Sequence, residues 1–290
     1  MNLDTKKLFK MASEGKYAIP QLNVSSADQM KAVVEAAVEL NSPIMFGTSE
    51  GESKFLGLAQ AVVLAESYEK ETGLPVILNA DHTKSLEKVK EAAEAGYNSI
   101  HFDGSLLAYE ENLKLTKEAV EIVKNISSDI SVEGELGRIG GTGSSKILKE
   151  EVKIDESMLT SPEQALEFVE ATGVDRLGVS IGNLHGISLA SEPKLDMKRL
   201  SEIEEILKDK CVLVLHGGSG IPDDDIKKSV ELGIRKININ TELRVAFSSG
   251  LKEALDGGET TPYKFIAPAQ EVMEKIVKEK ILLCGSDNKS

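Results

Sequence analysis

Residues Pro75 to Ser105 read PVILNADHTKSLEKVKEAAEAGYNSIHFDGS, and this stretch decides the fold. Its first part, 75–82, is an apolar run that reads as a buried strand. The next, 85–96, is an amphipathic segment with Ser85 placed as N-cap and Gly96 as C-cap. The last, 99–105, is a second short strand. Strand, helix and strand joined this tightly imply parallel pairing through a right-handed crossover. The first strand ends in the adjacent pair Asp81 and His82, the second in Asp103.

The same unit recurs in both directions. Further strands read at 17–24, 42–49, 131–137, 176–186, 211–218 and 235–241, making eight. Helices read at 26–40, 55–71, 109–125, 161–173, 197–209, 223–232, 242–255 and 268–281. The helix at 26–40 carries Met30, Val33, Val34, Ala37 and Val38 on one stripe. The one at 161–173 opens with Ser161, Pro162 and Gln164, a capping-box pattern. Eight alternating strands and helices in 290 residues predict a single (β/α)8 TIM barrel over 1–290, with additional terminal helices. A doubly wound open sheet is the alternative, but no G-x-G-x-x-G follows the first strand.

Composition narrows the function. Net charge is −14, which argues against nucleic acid and anionic membranes as partners. No apolar run approaches the roughly 18–20 residues of a membrane span, and the first residues lack a signal-peptide pattern. Cys211 and Cys284 make no disulfide framework, so a cytoplasmic location is expected. A small anionic substrate held by backbone amides and a metal remains compatible with the acidic balance.

In a barrel of this kind the C-terminal strand ends converge on one mouth. There the sequence places Asn23, Ser49, Asp81, His82, Asp103, Glu133, Glu135, His185, His216, Asn238, Asn240 and Thr241. Three of four histidines, His82, His185 and His216, fall at or near strand ends. Three imidazoles with an open fourth position make a catalytic zinc site. His101 is read as a deeper filler of the barrel interior. Asp81 is either a capping or supporting residue or an acid/base group. Asp103 and Glu135 would orient ligands or hold a second cation, and Glu133 would do the same or pair with a neighbouring strand. The HGGSG segment (216–220) after strand seven is either a flexible turn or, with Asn240-Thr241 before the next helix, a phosphate cradle. Between strand five and its helix, about 23 residues (138–160) form an insert, a lid or a surface insertion; Gly140 to Ser145 favour mobility in it.

These motifs together resemble the class II, metal-dependent ketose-bisphosphate aldolases. The resemblance runs from IPQLNV (19–24) to KEKILLCGS (278–286), through ADH (80–82), FDGS (102–105), EGELG (133–137), GNLHG (182–186), LHGGSG (215–220) and NINTELR (238–244). It implies Zn2+ on His82, His185 and His216, with Asp103 and Glu135 near a second or displaced metal position. It implies Asp81 as the group handling the proton on the C4 oxygen, with Asn238 beside it in a catalytic part. Gly186, Gly217, Gly218, Ser219, Asn238, Ile239, Asn240 and Thr241 would hold dihydroxyacetone phosphate, with Asn23 and Ser49 completing the substrate set. A monovalent cation, Na+ or K+, would lie near Gly186 and Ser219. The implied reaction cleaves a ketohexose 1,6-bisphosphate, fructose or tagatose, in a homodimer or higher homo-oligomer. The ion would serve as electron sink for the enediolate, and no predicted strand ends in a lysine suited to a Schiff base. A sugar-phosphate-binding homologue with weakened catalysis, or another phosphate-binding barrel enzyme such as an isomerase, are the competing readings.

Three departures from the family pattern stand out. Asn79 replaces a histidine two residues before Asp81. Thr142-Gly143 follows Gly140-Gly141 where the family carries a proton-exchanging glutamate, leaving Glu150 or Glu151 as substitutes. Gln270 stands where an arginine is common, so the second phosphate would lose a contact or draw it from Lys264.

Overall fold

The computed structural model describes residues 4–140, 147–190 and 192–290. Eight parallel strands close into a barrel: β1 (Ile19–Asn23), β2 (Ile44–Ser49), β3 (Val76–Thr83), β4 (Ser99–Phe102), β5 (Ser131–Leu136), β6 (Arg176–Val179), β7 (Val212–Leu215) and β8 (Ile234–Ile239). Pairing of Ile19 in β1 with Lys236 in β8 seals the ring. This is the (β/α)8 TIM barrel expected from the repeat.

Side-chain alternation along each strand separates two environments. Leu22, Phe46, Leu78, Ile100, Val132, Leu177, Leu213 and Ile237 face outward into the core under the helices. The opposite set fills the barrel. At the N-terminal end Ile19, Met45 and Ile77 meet Leu8, Phe9 and Ala12 of the helix Thr5–Gly15, which plugs the bottom. Above them the interior turns polar, with Gln21, Asn79, Ser99 and Arg176 buried and hydrogen bonded. Asn79 thus has a structural part: its amide donates to Gln21 at 2.8 Å and its carbonyl accepts from Ser99.

Ser85 and Ser161 cap helices as the sequence indicates, and Ser26 caps the helix Ala27–Glu39. Two elements differ most from expectation, while the final helix begins at Pro262 instead of 268 and the strands read over 99–105 and 211–218 end at Phe102 and Leu215. The segment read as one helix over 55–71 is two helices, Glu50–Leu56 and Leu58–Thr72, broken at Gly57 with φ +93°. The strand read over 176–186 stops at Val179. Beyond it the amide of Ser180 turns to Thr160 Oγ1 and that of Ile181 to Asn183 Oδ1, so these donors leave the ladder.

The insert after β5 is tied to the mouth. Ile147–Leu148 pairs with Ile187–Ser188, and His185 donates its amide to Gly140 O at 2.7 Å. The Gly141–Ser145 part of the expected lid, including the position of the absent glutamate, lies outside the described residues. The final helix, Pro262–Cys284, packs on Ala27–Glu39 and Thr241–Asp256 of its own barrel. Gln270 there donates to Asp28 O at 2.8 Å, so its amide serves the fold. Lys264 is exposed. No described helix is long and apolar enough to cross a membrane.

Candidate active site

The three expected histidines meet at the C-terminal mouth. Ring centroids of His82 and His185 lie 4.9 Å apart, those of His82 and His216 4.9 Å, and those of His185 and His216 6.2 Å. His82 has φ +51°, an uncommon backbone for a non-glycine residue, where the register between β3 and β4 shifts. His101 does not sit apart as a filler: its ring is 4.8 Å from His82 and 4.7 Å from His216. Inward alternation from β4 puts it in the same layer.

Each ring has a fixed partner. His82 Nδ1 is 2.8 Å from Asp103 Oδ2. His216 Nε2 donates to Glu133 Oε1 at 2.8 Å, and its Nδ1 accepts from Asn238 Nδ2 at 3.1 Å. Burial holds His185 well below the usual imidazole range and brings His216 down to about 3, so both are neutral. Burial works the same way on His82, but Asp81, Asp103 and Glu135 outweigh it and raise this ring to about 10. Glu135 goes up to about 7, chiefly through burial and then through Asp103.

Asp81 is wholly enclosed yet ionised. Burial would raise its pKa; His82 first and then Lys236 outweigh this and hold it well below the carboxylate range. Its two oxygens accept one amide each, Oδ1 from Asn238 and Oδ2 from Asn23, both at 3.0 Å. Asn238 Oδ1 is buried without a hydrogen-bond partner. One cavity is lined by Asn23, Asp81, the three histidines, Asn238, Gly217 and Ser219, together with Gly186, Asn240 and Thr241. A second, across His82 and His185, is lined by Ser49, Asp103 and Glu135. Every expected site residue except Gly218, Ile239 and the deeper Glu133 therefore lines one of two adjoining cavities. Ile239 is buried in the core outside the barrel, so only its backbone borders the site. Glu150 and Glu151 are exposed and line neither cavity. A larger cavity lies at the opposite end, among Lys6, Lys10 and Arg235, far from these groups.

The phosphate-cradle motif folds as a tight unit. Gly217 adopts φ +67°, and a Cβ there would stand 2.0 Å from Leu184 O; only glycine fits. Ser219 Oγ accepts from the amide of Glu242 at the start of the helix Thr241–Asp256.

Glu52 was not singled out from sequence. With Ser49 it forms a full capping box for the helix Glu50–Leu56. Its Oε2 also accepts from Asn23 at 3.0 Å, and Oε1 from Asn240 at 3.2 Å. The Ser-x-x-Glu spacing was the available signal. Glu52→Ala is expected to cost about 1 kcal/mol of stability through the lost cap and to raise KM several-fold by loosening Asn23 and Asn240. Thermal unfolding and steady-state kinetics check this, and Glu52→Gln should recover most of the stability.

Beneath the histidines lies an ionic layer. Glu133 accepts from Lys236 at 2.7 and 2.9 Å, from Arg176 Nε at 2.9 Å and from His216. Arg176 reaches on to Ser99 at 2.7 Å and to Ser131. All three charged side chains are buried. Glu133 therefore both orients a histidine and pairs with other strands.

The family model for class II fructose-bisphosphate aldolase matches residues 3–289. The chain belongs to the class II fructose-bisphosphate aldolase family. Its structure superposes on the YdjI aldolase of Escherichia coli K12 with a TM-score of 0.84 at 33% identity, covering 100% of this chain and 99% of that one. It also superposes on the fructose-bisphosphate aldolase of Campylobacter jejuni with a TM-score of 0.79 at 27% identity, covering 98% and 95%. The donor set of this class II aldolase fits a divalent cation. Ligand atoms of His82, Glu135 and His185 lie within 4.8 Å of one another, as do those of Asp81, His82, His101 and His216. Glu135 Oε2 is buried without a hydrogen-bond partner, an acceptor the protein itself leaves unmet.

Proposed function

We infer that the protein reversibly cleaves a ketohexose 1,6-bisphosphate, with fructose 1,6-bisphosphate the first choice and tagatose 1,6-bisphosphate the second, to dihydroxyacetone phosphate and glyceraldehyde 3-phosphate. The observation that carries this is the convergence of His82, His185 and His216 on an ionised, doubly anchored Asp81. The three histidines would hold Zn2+, with Asp103 and Glu135 as a second position. Bound there, the ion supplies Lewis-acid stabilisation of the charge that develops at the substrate carbonyl.

The chain's own residues supply the rest. Asp81, as a carboxylate, takes the proton from the C4 hydroxyl in cleavage and returns it in condensation. Asn238 holds Asp81 with its amide and turns its unpartnered carbonyl into the site for a substrate hydroxyl. Gly217, Ser219 and the start of the helix at Thr241 would present backbone amides to a phosphate, while the Gly218 amide is held by Asn238 O at 2.8 Å. Gly186 and Ser219 face one cavity, where a monovalent cation would support that anion. Lys236 is no Schiff-base nucleophile, because it is enclosed and bound twice to Glu133.

The test is a side-by-side cleavage assay on both bisphosphates, with metal analysis and a chelator. Cleavage abolished by the chelator and restored by Zn2+ supports the reading. Turnover indifferent to the chelator, or trapped by borohydride, sinks it. Zinc uptake without cleavage of either sugar favours a binding homologue.

Metal uptake should also depend on pH. A cation can use His82 only after the ring gives up the proton it keeps to about pH 10, and Glu135 only after it loses one near 7. Apparent affinity is therefore expected to rise about tenfold per pH unit between pH 7 and 9, and more steeply below pH 7. Calorimetry in buffers of different ionisation enthalpy measures the protons released; none released at pH 8 contradicts it.

A further inference from the structure

We propose that His101 is a positioning residue whose ring, fixed as the Nε2–H tautomer by the backbone amide of His82, aims a donor at Glu135 and sets the direction of that carboxylate. This rests on the reading that the site holds a divalent cation, with Glu135 in its second position beside His82 and His185.

The argument begins in the backbone. With φ +51° at a register shift, His82 turns its amide out of the β3–β4 ladder. A buried amide needs an acceptor, and His101 Nδ1 provides it at 3.1 Å. A ring nitrogen that accepts from an N–H carries no proton, so the proton of the neutral ring sits on Nε2. That Nε2 is fully buried and has no hydrogen-bond partner. The atom it faces is Glu135 Oε2, 3.5 Å away and also unpartnered.

Two orphaned, complementary atoms half an ångström beyond a good hydrogen bond are a pair made to close. The same tautomer removes His101 from the ligand set. Its one lone pair is taken by the backbone amide of His82, which cannot rotate away as the side-chain amide of Asn238 can from His216 Nδ1, so its closeness to His82 and His216 does not make it a fourth histidine ligand. What His101 offers the site is a donor held behind a carboxylate, the arrangement that orients metal-binding side chains.

The test uses Co2+ as the probe, with affinity read by chelator competition, and 15N-histidine spectra of the unsubstituted protein. His101→Asn keeps an acceptor for the amide but cannot reach Glu135; His101→Gln restores a donor near the Nε2 position; His101→Met removes both. We expect Co2+ affinity to fall about 10-fold or more in His101→Asn and His101→Met, and to return to within about threefold in His101→Gln. The signals lost in the His101→Gln spectrum identify those of His101, which should show the Nε2–H tautomer. Equal affinity in all variants, or an Nδ1–H tautomer, overturns the proposal while the metal site stands. If the unsubstituted protein takes up no Co2+, the metal reading falls and this role falls with it. Where His101→Met fails to fold, the tautomer of the unsubstituted protein decides.

Discussion

Asp81→Asn is expected to lower turnover by about 10²- to 10⁴-fold, the usual range for losing a positioned proton-transfer group. The substitution changes almost no volume. It exchanges one acceptor oxygen for an amide that faces either Asn23 or Asn238, each of which already donates to this side chain at 3.0 Å. One of those contacts becomes donor against donor and opens. The histidines keep their own partners, Asp103 for His82 and Glu133 for His216, so metal content should stay near one per chain. The expected signature is thus a fall in kcat with metal and substrate affinity largely preserved. Turnover within tenfold of the parent would remove Asp81 from the chemistry and leave it a brace.

The second large effect is on stability. Lys236→Met is expected to destabilise the fold by about 3 kcal/mol, the lower end of the cost of breaking a buried ion pair from one side. The lower end applies because Glu133 keeps Arg176 and His216 after the lysine is gone. Burial raises the pKa of Glu133, while Lys236 first, then His216 and Arg176, hold it well below the carboxylate range. A depressed carboxylate contributes stability above its unfolded pKa and loses it as pH falls through the folded one. The gap between parent and variant should therefore be widest near neutral pH and shrink in acid. Urea unfolding across pH measures it; a variant as stable as the parent at pH 7 contradicts the argument. Lys236→Met combined with Glu133→Gln should recover part of the loss, since no unpaired charge then stays inside.

Much of this was legible in the residues. Strand–helix alternation marks a parallel barrel because each buried strand needs an apolar run and each helix an apolar stripe, and serine caps mark some of the helix starts, as at Ser85 and Ser161. His82, His185 and His216 were legible because histidine is rare here and strand ends share one mouth. What escaped depends on relations between distant strands. Glu133 meets Lys236 and Arg176 only once the ring closes and sets which inward positions share a level. The ribbon of Ile147–Leu148 with Ile187–Ser188 joins residues about forty apart with no local pattern to announce it. Glu52 escaped because the helix was read as starting at 55, past its own cap, and as running unbroken through Gly57.

The mid-strand glycines carry a wider consequence. A Cβ on Gly178 of β6 would lie 3.0 Å from the His216 ring and 3.4 Å from Glu135 Cγ. One on Gly47 of β2 would lie 2.4 Å from Gln21 and 2.7 Å from Asn23. An eight-stranded ring has room inside only for its side chains, so a level crowded with large polar groups must be matched by omissions elsewhere at that level. Glycines at inward strand positions are the negative image of the chemistry they face. In an uncharacterised barrel sequence, the strands that give up a side chain point across the ring to those that carry the reacting groups.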